Sequence, residues 1–191
     1  MKTKNNLEIK PAPGIRRGFA FLIDWYLGSA VSALPVGFLW NMQTGETTIN
    51  TDVTLFAAPY WWIAGLLGLL FGAFYYYWIP LGIWKGQTLG KRLMNIRIAD
   101  ETGQPLPAGR LALRQLAGVM LLEGAFLLTG QYVIQMLTML VSGWAGSILS
   151  YVMFGCFFVS VWMTFRRGKA LHDLWAGSKV LDGKLEREKT I

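Results

Sequence analysis

The chain has 191 residues, 53% hydrophobic and 15% charged, whereas a soluble domain carries about 25% charged residues. Its net charge of +7 would suit nucleic acid, but the basic residues flank apolar blocks and form no separate basic domain. A nucleic-acid partner is therefore set aside in favour of a membrane. The lone cysteine, Cys156, excludes a disulfide within the chain and reads as a small buried hydrophobe.

Residues 1–15 read as a basic N-terminal tail. A single membrane domain is expected over 16–181, followed by a charged tail at 182–191. The first apolar block runs from Gly18 to Trp40, with Asp24 as its only charge. A secretory signal would have a shorter apolar core without an acid, so the block reads as a membrane span.

The second block, Phe56 to Trp84, has no charge at all. A crossing needs about 20 residues, so the excess predicts tilt or a kink, with Pro80 a natural place for it. Ala64, Gly68 and Gly72 recur every four residues and offer a face for close helix approach. Whether that face meets this chain or a second copy is left open by the sequence. Tyr60-Trp61-Trp62 and Tyr75-Tyr76-Tyr77-Trp78 read as interfacial aromatic belts.

Residues 85–110 are polar and rich in glycine and proline. Leu93 to Ile98 reads as a strand and Glu101 to Gln104 as a turn, which predicts a short β-hairpin. Gly86-Gln87-Thr88-Leu89-Gly90-Lys91 superficially resembles a phosphate-binding loop. It is one residue short between the glycines and has Arg92 where a magnesium-binding hydroxyl belongs, so nucleotide binding is not expected.

The third block, Leu111 to Phe165, contains only Arg114 and Glu123 as charges. It is long enough for two spans, with a turn at Thr129-Gly130 or Ser142-Gly143. The expected fold is an all-α integral membrane protein. It has about four transmembrane helices, near 18–40, 56–84, 111–141 and 143–165, and a small cytoplasmic loop at 85–110.

All 18 lysines and arginines lie before the first block, between the second and third or just inside it, or after the last. The Asn41–Leu55 loop holds only Glu46 and Asp52. Positive-inside asymmetry then places both termini and the central loop in the cytoplasm, as in a bacterial-type cytoplasmic membrane. Membrane lipids, anionic headgroups among them, are the expected partners of the basic face. A homo-oligomer or a membrane-protein partner remains open.

Ionisable residues inside spans are costly unless paired, and each is a functional candidate. Arg17 and Asp24 lie seven residues apart, about 10.5 Å along one helix face. Either Arg17 leans along the helix or both share a third partner. Asp173 follows the last span at the depth of Arg17, within reach of Arg17 or of the Lys91–Arg92 pair. Glu123 lies about 13 Å beyond Arg114 along a helix, near mid-membrane, with no cation close in sequence. Asp24 and Glu123 are thus the candidate proton or cation sites. The single histidine, His172, excludes a multi-histidine metal site, and no nucleophile motif accompanies it. No enzyme activity, cofactor or metal is expected.

Three segments together resemble the RDD family of membrane proteins, named for one arginine and two aspartates. Arg17-Gly-Phe-Ala20-Phe-Leu-Ile23-Asp24 is similar to its first-helix motif. Gly86-Gln-Thr88-Leu-Gly90-Lys91-Arg92, with the following Ile96-Arg97-Ile98, is similar to its central-loop motif. Arg114 matches a recurring arginine of the next helix. Leu171-His172-Asp173-Leu-Trp-Ala176-Gly177 is similar to its C-terminal motif. Asn95 stands where glycine is frequent and Ser178 where threonine is frequent. The resemblance makes Arg17, Asp24 and Asp173 the name-giving charges and leaves Glu123 outside the shared motifs. It implies either a partner in membrane assemblies or a sodium/proton antiporter. The expectation is an accessory or assembly component, with antiport through Asp24 and Glu123 as the alternative.

Overall fold

The computed structural model describes residues 10–183. The tail lysines Lys2 and Lys4, and Lys184, Arg187 and Lys189, lie outside the described residues. Three helices are long and apolar enough to cross a membrane: α1 (Gly14–Thr44), Tyr60–Ile83 and α6 (Gly143–Arg167). At about 1.5 Å per residue, the 31 residues of α1 extend about 46 Å, well beyond a hydrocarbon core of about 30 Å. Gly45 ends α1 in the left-handed conformation, its N–H bonded to the Asn41 carbonyl 2.8 Å away.

The second crossing begins as an α-helix, α2 (Tyr60–Ala73), and ends as a π-helical stretch (Phe74–Ile83) containing Pro80. Proline lacks an N–H and crowds the preceding turn; here the helix widens instead of breaking. The Trp84 N–H closes the stretch on the Ile79 carbonyl. The Ala64/Gly68/Gly72 face is used within the chain. A Cβ at Gly68 would run into the Tyr132 ring, and one at Gly72 into Thr129 and Ser32.

The third expected crossing is discontinuous. α4 (Ala108–Ala112) continues as a π-helical stretch (Leu113–Leu122), which stops at Glu123; a 3-10 turn (Gly124–Phe126) precedes α5 (Leu128–Leu140). Glycines make the break compact, because a Cβ at Gly130 would collide with the Gly124 carbonyl. The turn into α6 falls at Val141-Ser142, so Gln131–Leu140 is helix and not loop. An apolar cluster of Val36, Val53, Phe56, Ala64 and Tyr132 closes the end near the acidic loop.

The opposite end carries two short helices, α3 (Leu89–Leu93) and α7 (Leu171–Trp175), and one two-stranded antiparallel sheet, β1 (Ile96–Asp100) with β2 (Ser178–Asp182). The strand expected at 93–98 forms instead at 96–100, because Leu93 ends α3 and Met94-Asn95 turn the chain, and the local hairpin does not form. Residues 101–104 turn without a returning strand, and β1 pairs instead with the far C-terminal segment, Ile98 opposite Val180. The physical reason is apolar: Ile96 and Val180 form one core cluster with Ala12 and Ala20. The N-terminal segment joins the same edge, with Ala12 N–H bonded to the Val180 carbonyl at 2.8 Å. Both ends of the described chain thus meet the central loop at one end of the molecule.

Candidate functional site: a buried charge network

Asp24 and Asp173 each sit at the centre of a set of donors brought from distant segments. Asp24 is 2% exposed. Its Oδ1 accepts from the Tyr75 hydroxyl at 2.8 Å and the Gly90 N–H at 2.8 Å. Its Oδ2 accepts from the Thr88 hydroxyl at 2.5 Å and from Lys91 Nζ at 3.0 Å. Tyr76 donates to the Asp24 carbonyl at 2.8 Å. A buried carboxylate needs its lone pairs filled, and here the π-helical end of the second crossing, Thr88 and α3 fill them.

The glycines of the central loop make this approach possible. A Cβ at Gly90 would collide with the Ala20 carbonyl and the Asp24 carboxylate. Gly86 has φ 77° and sits against the Ile98 carbonyl, with its own carbonyl accepting the Ile98 N–H at 2.8 Å; only glycine meets both demands.

Asp173 is fully buried. Arg17 Nη2 donates to its Oδ2 at 2.5 Å and Arg114 Nη2 to its Oδ1 at 2.7 Å. The Ala170 N–H adds a bond at 3.0 Å as α7 begins. Arg114, 1% exposed, also contacts Ser178 and Gln115. Burial raises the Asp173 carboxyl, but Arg114, His172, Arg17 and the Ala170 N–H outweigh it and hold the group well below the usual carboxylate range. Burial lowers the Lys91 ammonium from its usual value, against the pull of Asp24.

Arg17 and Asp24 therefore do not share a partner. Arg17 turns back to Asp173 and to the Gly168 carbonyl, while Asp24 turns to the loop. The bridge between Asp173 and Arg17 is formed. The alternative bridge from Asp173 to Lys91–Arg92 is not, because Lys91 serves Asp24 and Arg92 is exposed, stacked 4.7 Å from the Trp84 ring.

Glu123 is not isolated. It lies at the break in the third crossing, accepting from the His172 N–H at 3.0 Å and facing His172 Nδ1 at 2.8 Å. The partner that the sequence did not place beside Glu123 is close in space although 49 residues away in sequence. His172 in turn comes within 3.5 Å of Asp173, so Glu123 joins the network. Gly177 turns the chain from α7 into β2 beside Arg110, which donates to the Gly177 and Ala176 carbonyls.

Sequence reasoning missed Tyr75 and Tyr76, read there as an interfacial belt. Both are buried on Asp24, while Trp78 in the same run is exposed. Their signal was a pair of hydroxyl-tipped aromatics within reach of a span carrying an unpaired acid. Among the described residues, no group of three or more His, Cys, Asp or Glu side chains is arranged to hold a metal.

The named arginine and both named aspartates lie in these two neighbouring centres, Asp24 on the loop motif and Arg17 with Asp173 on the C-terminal motif. The RDD family model matches residues 11–177. The chain belongs to the RDD family. No curated protein and no solved structure matches it. The two departures from the RDD pattern fit the geometry. Asn95 has φ 51°, the left-handed conformation that favours glycine and that asparagine tolerates best among other residues. Ser178 presents to Arg114 Nε, at 3.2 Å, the same hydroxyl that threonine would.

A cavity of about 180 Å³ opens beside the RDD charges. Arg17, Asp24, Lys91, Arg114, Glu123 and His172 line one side of it. Side chains of α1 and α6, mostly apolar, line it as well, together with Tyr76, Ile96, Val119 and Val180.

Proposed function

We propose that this RDD domain is a non-enzymatic accessory or assembly component of the membrane. Its charge network would hold the loop, α7 and β2 as one rigid platform against the membrane helices. The observation that carries the reading is the saturation of both aspartates. Asp24 accepts from four donors and Asp173 from Arg17, Arg114 and the Ala170 N–H, so neither offers a vacant oxygen to a passing ion. Two polar side chains of α5 also serve the backbone. Gln131 donates to the Ala125 carbonyl at 2.6 Å and Gln135 accepts from the Val53 N–H at 2.9 Å.

In the same reading the network end faces the cytoplasm. The basic flanks of the described spans lie there, and the acidic 41–55 loop lies at the other end. A stoichiometric membrane partner would dock on the rigid platform, and the long exposed face of α6 would meet lipid or a second copy. Affinity purification after crosslinking in intact membranes tests this. A stoichiometric partner or a discrete oligomer is expected; a monomer that captures nothing reproducible contradicts the reading.

A second reading, cation/proton exchange, is favoured by one feature. Glu123 sits at a helix break, and discontinuous membrane helices are the usual setting of ion sites in transporters. Cation-dependent proton flux in liposomes separates the two. The accessory reading expects no flux. Flux abolished by Glu123→Gln or Asp24→Asn would support exchange.

A further inference from the structure

The cavity beside the charges is not a closed void. It is a crevice between α1 and α6, which meet through the Phe21 and Phe157 rings, centroids 5.6 Å apart, and through the Phe165 ring against Gly14. Between these contacts, Gly18 has open space beside it, with nothing within 4 Å of where a Cβ would stand. Phe21, Phe157 and Val161 give it apolar wall; Arg17, Asp24, Lys91, Arg114, Glu123 and His172 form its polar floor.

The floor has more donors than acceptors. The Asp24 and Asp173 oxygens are already bonded, and Glu123 is taken by His172. Arg17, in contrast, uses Nη1 on Gly168 and Nη2 on Asp173 out of five N–H groups. Lys91 donates to Asp24 and Thr88 out of three. A guest that satisfies this floor must bring acceptor oxygens on one end and an apolar body on the other. It must also arrive through a gap between two lipid-facing helices.

We propose that the crevice binds one membrane phospholipid. Its phosphodiester lies against Arg17 and Lys91, and the upper part of an acyl chain runs past Gly18 between Phe21 and Val161. This goes beyond the assembly reading. It gives the network a ligand, and a bound lipid would complete the α1–α6 seam that protein contacts leave open.

The test is native mass spectrometry of the full chain, purified in mild detergent and incubated with phosphatidylglycerol. One retained lipid per chain is expected. Gly18→Trp and Val161→Trp fill the crevice from its two sides and should each lower retention about tenfold, equivalent to about 1.4 kcal/mol. Gly155→Trp is the control. Gly155 is an exposed α6 glycine, also with nothing within 4 Å, and its substitution should leave retention unchanged. Diacylglycerol, with the same chains and no phosphate, should not be retained. Equal retention in Gly18→Trp and Gly155→Trp, equal retention of diacylglycerol, or no retained lipid in the wild type would overturn the proposal. Unfolding curves of each variant verify that the comparison is between folded proteins.

Discussion

Arg114 donates to Asp173 across 2.7 Å with side chains 1% and 0% exposed, joining residues 59 positions apart. Such a pair adds little net stability over an apolar substitute. Removing one partner, however, strands the other charge out of water and costs about 3–5 kcal/mol. Asp173→Asn should therefore destabilise the protein by that amount in detergent unfolding experiments. Arg92→Ala, which removes an exposed ring contact, should cost no more than about 1 kcal/mol.

Tyr75→Phe tests the second centre. It removes one hydroxyl donor from a buried carboxylate, and hydrogen bonds to charged groups contribute about 1.5–3 kcal/mol. The loss should appear in unfolding midpoints. Tyr77→Phe, in the same aromatic run but packed against the Ile98–Leu111 cluster, should be close to neutral. Equal effects would remove Tyr75 from the network.

Gly90→Ala should loosen the loop from α1, because the added Cβ meets first the Ala20 backbone carbonyl and then the bonded Asp24 carboxylate. Overpacking of this kind costs about 1–3 kcal/mol. Gly109→Ala has open space and should be tolerated. Limited proteolysis within residues 85–110 would compare the two, with faster cleavage expected only in Gly90→Ala.

Asp173 also predicts an acid response. Its carboxyl is held below the usual range in the folded state, so its stabilising contribution is complete above the unfolded value of about 4 and is lost as pH falls through the lower folded value. Unfolding midpoints should therefore fall below about pH 4 in the wild type. That part of the slope should be missing in Asp173→Asn.

The membrane blocks and the charges that matter were legible in the sequence, because apolar run length and residue type at a motif position are local properties. Pairings were not. Leu93–Ile98 reads as a strand, but the strand that forms, Ile96–Asp100, takes its partner Ser178–Asp182 through a shared apolar cluster with α1 that no local pattern encodes. Glu123 looked unpaired for the same reason, since His172 reaches it only after the third crossing breaks. Gly86, Gly90 and Asn95 were visible as motif positions, yet their meaning lies in close backbone approach and left-handed φ.

The buried Arg114–Asp173 pair locks the C-terminal segment onto the third crossing. A double-mutant cycle on Arg114 and Asp173, with Arg114→Met, Asp173→Asn and both together, tests it most directly through unfolding free energies. Each single change should cost about 3–5 kcal/mol, and the double change well below their sum, a coupling of about 0.5–3 kcal/mol. Strictly additive losses would contradict the account, because they would mean that the two side chains touch without depending on one another.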